Sequence, residues 1–374
     1  MTGDRRYVWL ALATGAAAIA VIPAAHGTSW HYFDDAAQLL LGRAPGVLGP
    51  GGLHLFHSHP EFQFGPLALV AAVGLRLACG SHAALVAQLL LLPLPLVLTW
   101  LLEDAAVRLG ADARTRRIAL LGGVSLIGSW LWLVLFTTHI DDALALSALV
   151  LACNLISRGR PMPAALAIGL AAAAKPWAIV FVPLTLVLPV RRRTALALAL
   201  GLGVVGWIPF LVADHGTFAA LGRFTIENSP VSGLRALEID TANTPPWDRA
   251  LQTIAGLAVV IFTVSRRDRW AGALLAGLGI RLALDPGTHH YYTAGLVVAG
   301  LAWDLLVSPY DWPLASWTAL ALLEIPRTIL PGDLAGITRL AVTLGAVVLA
   351  TLGPVRDGRR CPVETQPITE RNIA

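Results

Sequence analysis

The stretch FGPLALVAAVGLRLAC, residues 64–79, decides how this chain is laid out. It is apolar, yet short, and it carries Arg76. A helix that crosses the hydrocarbon core takes about 20 predominantly apolar residues. The arginines elsewhere choose between the two readings of the run. If it does not span and Arg5 and Arg6 lie inside, the inner loops collect Arg108, Arg114, Arg116, Arg117, Arg158, Arg160, Arg191 to Arg193, Arg266, Arg267, Arg269, Arg356, Arg359 and Arg360. The outer loops keep only a scatter such as Arg43, Arg223, Arg235 and Arg249. If the run spans, every later loop flips and the clusters land outside, against the positive-inside bias. The run is therefore read as lying at the interface or re-entering.

Composition sets the class. Of 374 residues, 56% are hydrophobic and 13% charged, where a soluble domain has about 25% charged residues. Mean hydropathy is +0.69. Apolar runs recur from Tyr7–Ala25 through Ala83–Leu102, Ile118–Phe136 and Ala143–Ile156 to Leu314–Leu330 and Ile337–Leu352. The expected architecture is all-α, a polytopic membrane bundle of about 12 transmembrane helices with both ends inside. It covers residues 1–354, with an interfacial helix in a first outer loop at 26–82, and residues 355–374 read as a disordered cytoplasmic tail. The first run has a basic start but is long for a signal peptide, and reads as a retained anchor. Ala164–Ala174 and Trp177–Val190 are short for spans, and Pro176 between them removes a backbone donor, so the pair is expected to be tilted or broken there.

The net charge of +4 comes almost wholly from arginines in short loops, with Lys175 the single lysine. No basic patch interleaved with aromatics is present, so nucleic acid is not an expected partner; the membrane is. Cys79, Cys153 and Cys361 lie far apart and give neither a disulfide framework nor a metal spacing.

In so apolar a chain, ionisable groups where spans emerge are expensive and read as functional. Two acid pairs, Asp34-Asp35 and Asp141-Asp142, fall on the outer side in this topology. A carboxylate there can act as general base for an acceptor hydroxyl. Adjacent acids on a helix point about 100° apart, so one of Asp34 and Asp35 would face a site. Helix capping and dipole compensation account for either pair equally well. His139 precedes the second pair, and four carboxylates with nearby histidines would also fit a divalent metal. No ligand spacing is diagnostic, and no cofactor is assigned. His59 and Glu61 belong to the tract His54-Leu55-Phe56-His57-Ser58-His59-Pro60-Glu61, read as a polar loop that binds substrate or water. Lys175 suits a phosphate or an ion pair with an outer acid. Arg281 near Asp285, and His289, His290 and Tyr291 at an outer span end, complete the candidate substrate-binding set.

Several phrases resemble the GT-C superfamily of integral-membrane glycosyltransferases. Asp141-Asp142-Ala143-Leu144-Ala145-Leu146, Arg158-Gly159-Arg160-Pro161 and Gly169 to Trp177 are similar to its bacterial polyprenyl-phosphate-mannose-dependent branch. So is Gln38-Leu39-Leu40-Leu41-Gly42-Arg43-Ala44-Pro45. The resemblance covers roughly residues 1–190. It implies a GT-C-like fold and transfer of a sugar, mannose in that branch, from a polyprenyl-phosphate donor to a lipid or glycan acceptor. The site would face outward from a bacterial inner membrane. It also implies a general base in the first outer loop, mapping to Asp34 or Asp35, and a second outer-loop acid at Asp141 or Asp142. The competing class is a transporter or lipid flippase, to which a helix broken at Lys175-Pro176 belongs.

Overall fold

The computed structural model describes residues 5–21, 27–43, 51–110, 113–188, 190–220 and 222–356. The expected tail lies outside these, apart from Val355 and Arg356, as do Ala44-Pro45 and Cys361. The fold is helical. Among the described residues the extended structure amounts to one isolated bridge, Glu227 to Asn243. Helices α1 (Arg5–Val21), α2 (Trp30–Leu40), α3 (Leu55–Ser58), α4 (Pro66–Cys79), α5 (Ala83–Leu91) and α6 (Leu94–Arg108) open the chain. Then come α7 (Ala113–Leu131), α8 (Ile140–Ser157), α9 (Pro161–Ala174), α10 (Arg192–Val205), α11 (Ile208–Ala213), α12 (Gly216–Ala220) and α13 (Gly233–Ala236). Five longer helices finish it: α14 (Asp248–Ser265), α15 (Gly272–Leu284), α16 (Tyr292–Leu306), α17 (Leu314–Ile329) and α18 (Gly332–Leu352).

Five helical stretches are long and apolar enough to cross a membrane: Pro66–Arg108, Arg114–Phe136, Ile140–Ser157, Asp248–Ser265 and Gly332–Leu352. Their outer faces carry large exposed apolar side chains, Ile254 and Val348 among them, as does α1 with Trp9. The deciding run forms α4, whose 14 residues rise about 21 Å. That falls short of a core of about 30 Å. Gly80, at φ +57, a conformation glycine tolerates, then turns the chain before α5.

Proline and glycine break other apolar runs at places their hydropathy does not mark. Pro93 separates α5 from α6, and Gly206 with Pro209 separates α10 from α11. After α9 the chain passes through extended Lys175 into a 3₁₀ helix, Pro176–Val187, with Pro183 inside it. Helix α16 is buried on every side from Thr293 to Leu306. A helix apolar all round belongs in the middle of a bundle, and α16 packs against α17, α15, α7 and α6. Helices α9 and α10 approach closely because Gly169 leaves room: a Cβ there would sit 2.9 Å from the Ala199 carbonyl oxygen.

One buried carboxyl caps a neighbouring helix. Asp304 on α16 accepts hydrogen bonds from the Ala315 and Ser316 N–H groups at 3.0 and 2.9 Å, and from Ser316 Oγ at 2.9 Å. These are orphan donors of the first turn of α17. Asp304→Leu strands both backbone donors and is expected to lower stability by about 2–5 kcal/mol. Asp304→Asn, which keeps one acceptor oxygen, should lose less. Thermal unfolding in detergent measures both, and equal losses would refute the capping role.

Candidate active site

The site begins where α7 ends. A π turn, Trp132–Phe136, widens the helix and leaves carbonyls facing the segment 27–29. Gly27, Thr28 and Ser29 donate backbone N–H groups to the carbonyls of Leu135, Phe136 and Thr137 at 3.2, 2.9 and 3.0 Å. That segment is thereby tied to the end of α7. The segment just before α4 is tied to α9, since Gly65 N–H donates to the Ala174 carbonyl at 2.8 Å. A Cβ on Gly65 would lie 2.0 Å from the Ala173 carbonyl oxygen, so only glycine fits.

Thr138, at φ +57, turns the chain into α8 and places His139, Asp141 and Asp142 at its N-terminus, where the helix dipole favours negative charge. Asp141 and Asp142 are buried. Lys175 Nζ donates to Asp141 Oδ2 and lies 3.5 Å from Asp142 Oδ2. Trp177 Nε1–H donates to Asp142 Oδ1 at 2.9 Å. His139 Nδ1 is 3.4 Å from Asp141 Oδ1. Beside them, the Arg281 guanidinium lies over the rings of Trp177 and Tyr292, 4.9 Å from each centroid. Its nearest carboxylate, on Asp285, is 3.9 Å away. No hydrogen-bond acceptor among the described residues meets its donors. Tyr291 stacks on His139 with centroids 3.9 Å apart and on His289 at 5.4 Å.

These groups line a cavity of about 830 Å³. Of the residues expected from sequence, the wall includes Glu61, His139, Asp141, Lys175, Arg281, His289 and Tyr291. Asp142 stands behind Trp177. His59 holds Glu61, its Nδ1 lying 3.0 Å from Glu61 Oε1. His290 turns away: its Nδ1 is 2.5 Å from Glu324 and its ring stacks on Trp132. Asp34 also faces away, accepting from Gln38 Nε2 at 2.7 Å and lying 3.2 Å from Arg76. Asp35 is one turn beyond His31, a wall residue, but is not itself on the wall. Burial raises its carboxyl above the usual range, with His31 acting in the opposite sense. Both acids are displaced because Phe33 takes the inward face of α2, stacking on Phe64 at 4.7 Å.

The wall also holds residues that the sequence reading had not assigned to a site: His31, Tyr32, Trp177, Arg249, Tyr292 and Arg327. A signal for two of them was present. Arg249 was an outlier to the positive-inside pattern, and Arg327 interrupts an apolar run.

The loop tract His54–Glu61 is clipped from outside. His57 Nδ1 and His54 Nδ1 lie 2.6 and 3.2 Å from Asp214 Oδ2, and Gly216 N–H donates to Oδ1 at 2.9 Å. The His57 hydrogen bond, then that of His54, brings the Asp214 carboxyl down to about 2. A depressed acid stabilises above its unfolded value, about 4, and loses that contribution as pH falls through about 2. Protection of the amides at residues 54–59, taken relative to their intrinsic exchange rate at each pH, is therefore expected to fall as pH drops from 4 to 2. In Asp214→Asn protection should be low throughout. A parent clip insensitive to that window would contradict the assignment.

No family model matches the chain, and neither a curated protein nor a solved structure matches it. The functional reading rests on the cavity itself.

Proposed function

We propose that the chain is a membrane glycosyltransferase of GT-C type, moving a sugar from a polyprenyl-phosphate donor to a lipid or glycan acceptor in this cavity. The observation that carries the reading is that one cavity is lined both by a carboxylate with an oxygen left free by His59 and by a guanidinium whose donors meet no described acceptor. Inverting sugar transfer needs a base for the acceptor hydroxyl and positive charge for the departing phosphate. Glu61 supplies the first. Its Oε1 faces His59, leaving Oε2 for an acceptor, whereas Asp141 is engaged by Lys175. Arg281 supplies the second, with Arg249 and Arg327 lining the same cavity. Planar forked donors suit a phosphate better than the Lys175 ammonium, which the two aspartates already hold. Glu61 lies in the first outer loop, where the GT-C resemblance puts the base, though on a different acid from the Asp34 or Asp35 it suggested. Incubating purified protein with radiolabelled polyprenyl-phosphate sugars and a membrane lipid extract tests the reading; no transferred label with any sugar, mannose included, would sink it.

The topology proposed with it has about 12 spans in a bacterial inner membrane, α4 at the outer interface, both ends inside and the cavity facing out. Cysteines placed at Asp240 and Asp333, in a background without Cys79, Cys153 and Cys361, should react with an impermeant maleimide from outside. Cysteines at Arg116 and Arg193 should react only after permeabilisation. Outside labelling at Arg116 would make α4 part of a span and overturn the arrangement.

A transporter is the second reading, favoured by the break at Lys175 and the 3₁₀ segment after it, since discontinuous helices beside buried charges mark substrate sites in such proteins. It requires substrate flux in vesicles without sugar transfer.

A further inference from the structure

His139, Asp141 and Asp142 each offer a ligand atom within 4.8 Å of the others. Imidazole with two carboxylates at that spacing is a donor set for a divalent transition ion. A second observation points to the same spot. Asp142 Oδ2 is buried without a hydrogen-bond donor, 3.8 Å from His139 Nδ1. The cation that meets it is Lys175, whose Nζ lies 3.5 Å from this oxygen while donating to Asp141 Oδ2. An extended backbone at Lys175, between α9 and the 3₁₀ helix, delivers the side chain there.

We infer that Lys175 is a tethered cation standing where a divalent metal ion would bind, and that its removal converts the cluster into a metal site. The ammonium provides one positive charge without a supply of free ion. It also excludes a metal, because two cations about 4 Å apart repel strongly at the effective dielectric of a protein. The parent cluster is thus independent of divalent ions, whatever reaction the cavity carries out. Lys175 acts as a positioning residue for Asp141, Asp142 and, through Asp142, the Trp177 indole.

The test reads binding, not transfer. Chelator-washed parent and Lys175→Ala, in detergent, are titrated with Mn²⁺ and Zn²⁺ while thermal unfolding and bound ion are followed. Lys175→Ala should bind one ion per chain and regain stability, with an affinity on the order of a hundredfold or more above the parent's. Adding Asp142→Asn to Lys175→Ala should abolish that response, which separates it from adventitious binding at His54, His57 and His59. Lys175→Arg should behave as the parent does. If Lys175→Ala fails to accumulate even when expressed and purified in metal, Lys175→Gln takes its place as a neutral, shorter side chain. Failure of both neutral variants to bind an ion overturns the inference. So does a parent that binds one as tightly at a site lost in Asp142→Asn.

Discussion

Glu61→Gln is expected to keep the protein folded and inserted while lowering sugar transfer by about 10²–10⁴-fold, the usual loss when a positioned base is removed. Glutamine preserves the shape and retains an acceptor for His59, so the loop tract His54–Glu61 should stay clipped. What disappears is the capacity to take a proton from the acceptor hydroxyl. The comparison that matters is with Asp34→Asn and Asp35→Asn. Asp34 is occupied by Gln38 and Arg76, and its loss should leave transfer within a few-fold of the parent. Asp35 lies behind His31, and its change should act weakly through that neighbour. If Asp35→Asn instead collapses transfer and Glu61→Gln spares it, the base sits on α2 and the acceptor enters from that side.

Much of the architecture was readable because the membrane imposes simple rules. Long apolar stretches gave an all-helical chain, and their lengths singled out the short run at 64–79. What hydropathy does not record is where a run breaks. Pro93 and Gly206 divide stretches of unbroken apolar character, because a missing N–H or a flexible backbone acts on geometry and leaves composition unchanged, whereas the break at Lys175-Pro176 was marked by its charge and its proline. The site was legible to the extent that charge in an apolar chain must find company. Lys175 and Asp141 are far apart in sequence, yet each was expensive alone, and they meet. The orientation of α2 was not legible. Both of its faces offer plausible residues, and it is the packing of Phe33 on Phe64 that turns Asp34 toward Arg76. The turn before α16 posed the same difficulty, since His289 and His290 are adjacent yet one lines the cavity and the other meets Glu324. Arg249 and Arg327 were visible as anomalies of topology and hydropathy, a signal that becomes functional only when a cavity collects them.

Lys175→Met should be the most destabilising single change in the buried cluster, more so than Asp141→Asn. The ordering follows from counting charge. Asp141 and Asp142 face one ammonium, with His139 alongside and Arg281 stacked on the Trp177 ring that donates to Asp142. Methionine keeps the length of the lysine stem but leaves two buried carboxylates against each other. Breaking a buried pair in this manner typically costs about 3–5 kcal/mol, a large part of the roughly 5–15 kcal/mol that holds a domain folded. Asp141→Asn leaves Asp142 to neutralise Lys175 and keeps an acceptor oxygen in place, so its cost should be nearer 1–3 kcal/mol. The double change, Lys175→Met with Asp141→Leu, restores the balance of one carboxylate beside His139 and Trp177. It should therefore be more stable than Lys175→Met alone, since replacing both members of a buried pair is often close to neutral. Thermal unfolding of the parent, Lys175→Met, Asp141→Leu and the double variant in one detergent supplies the cycle. A double variant as unstable as the sum of its parts would mean that Lys175 and Asp141 act independently. The short contact between them would then contribute little to holding α9 against α8, and the charge of the cluster would have to be balanced from the Arg281 side of the cavity.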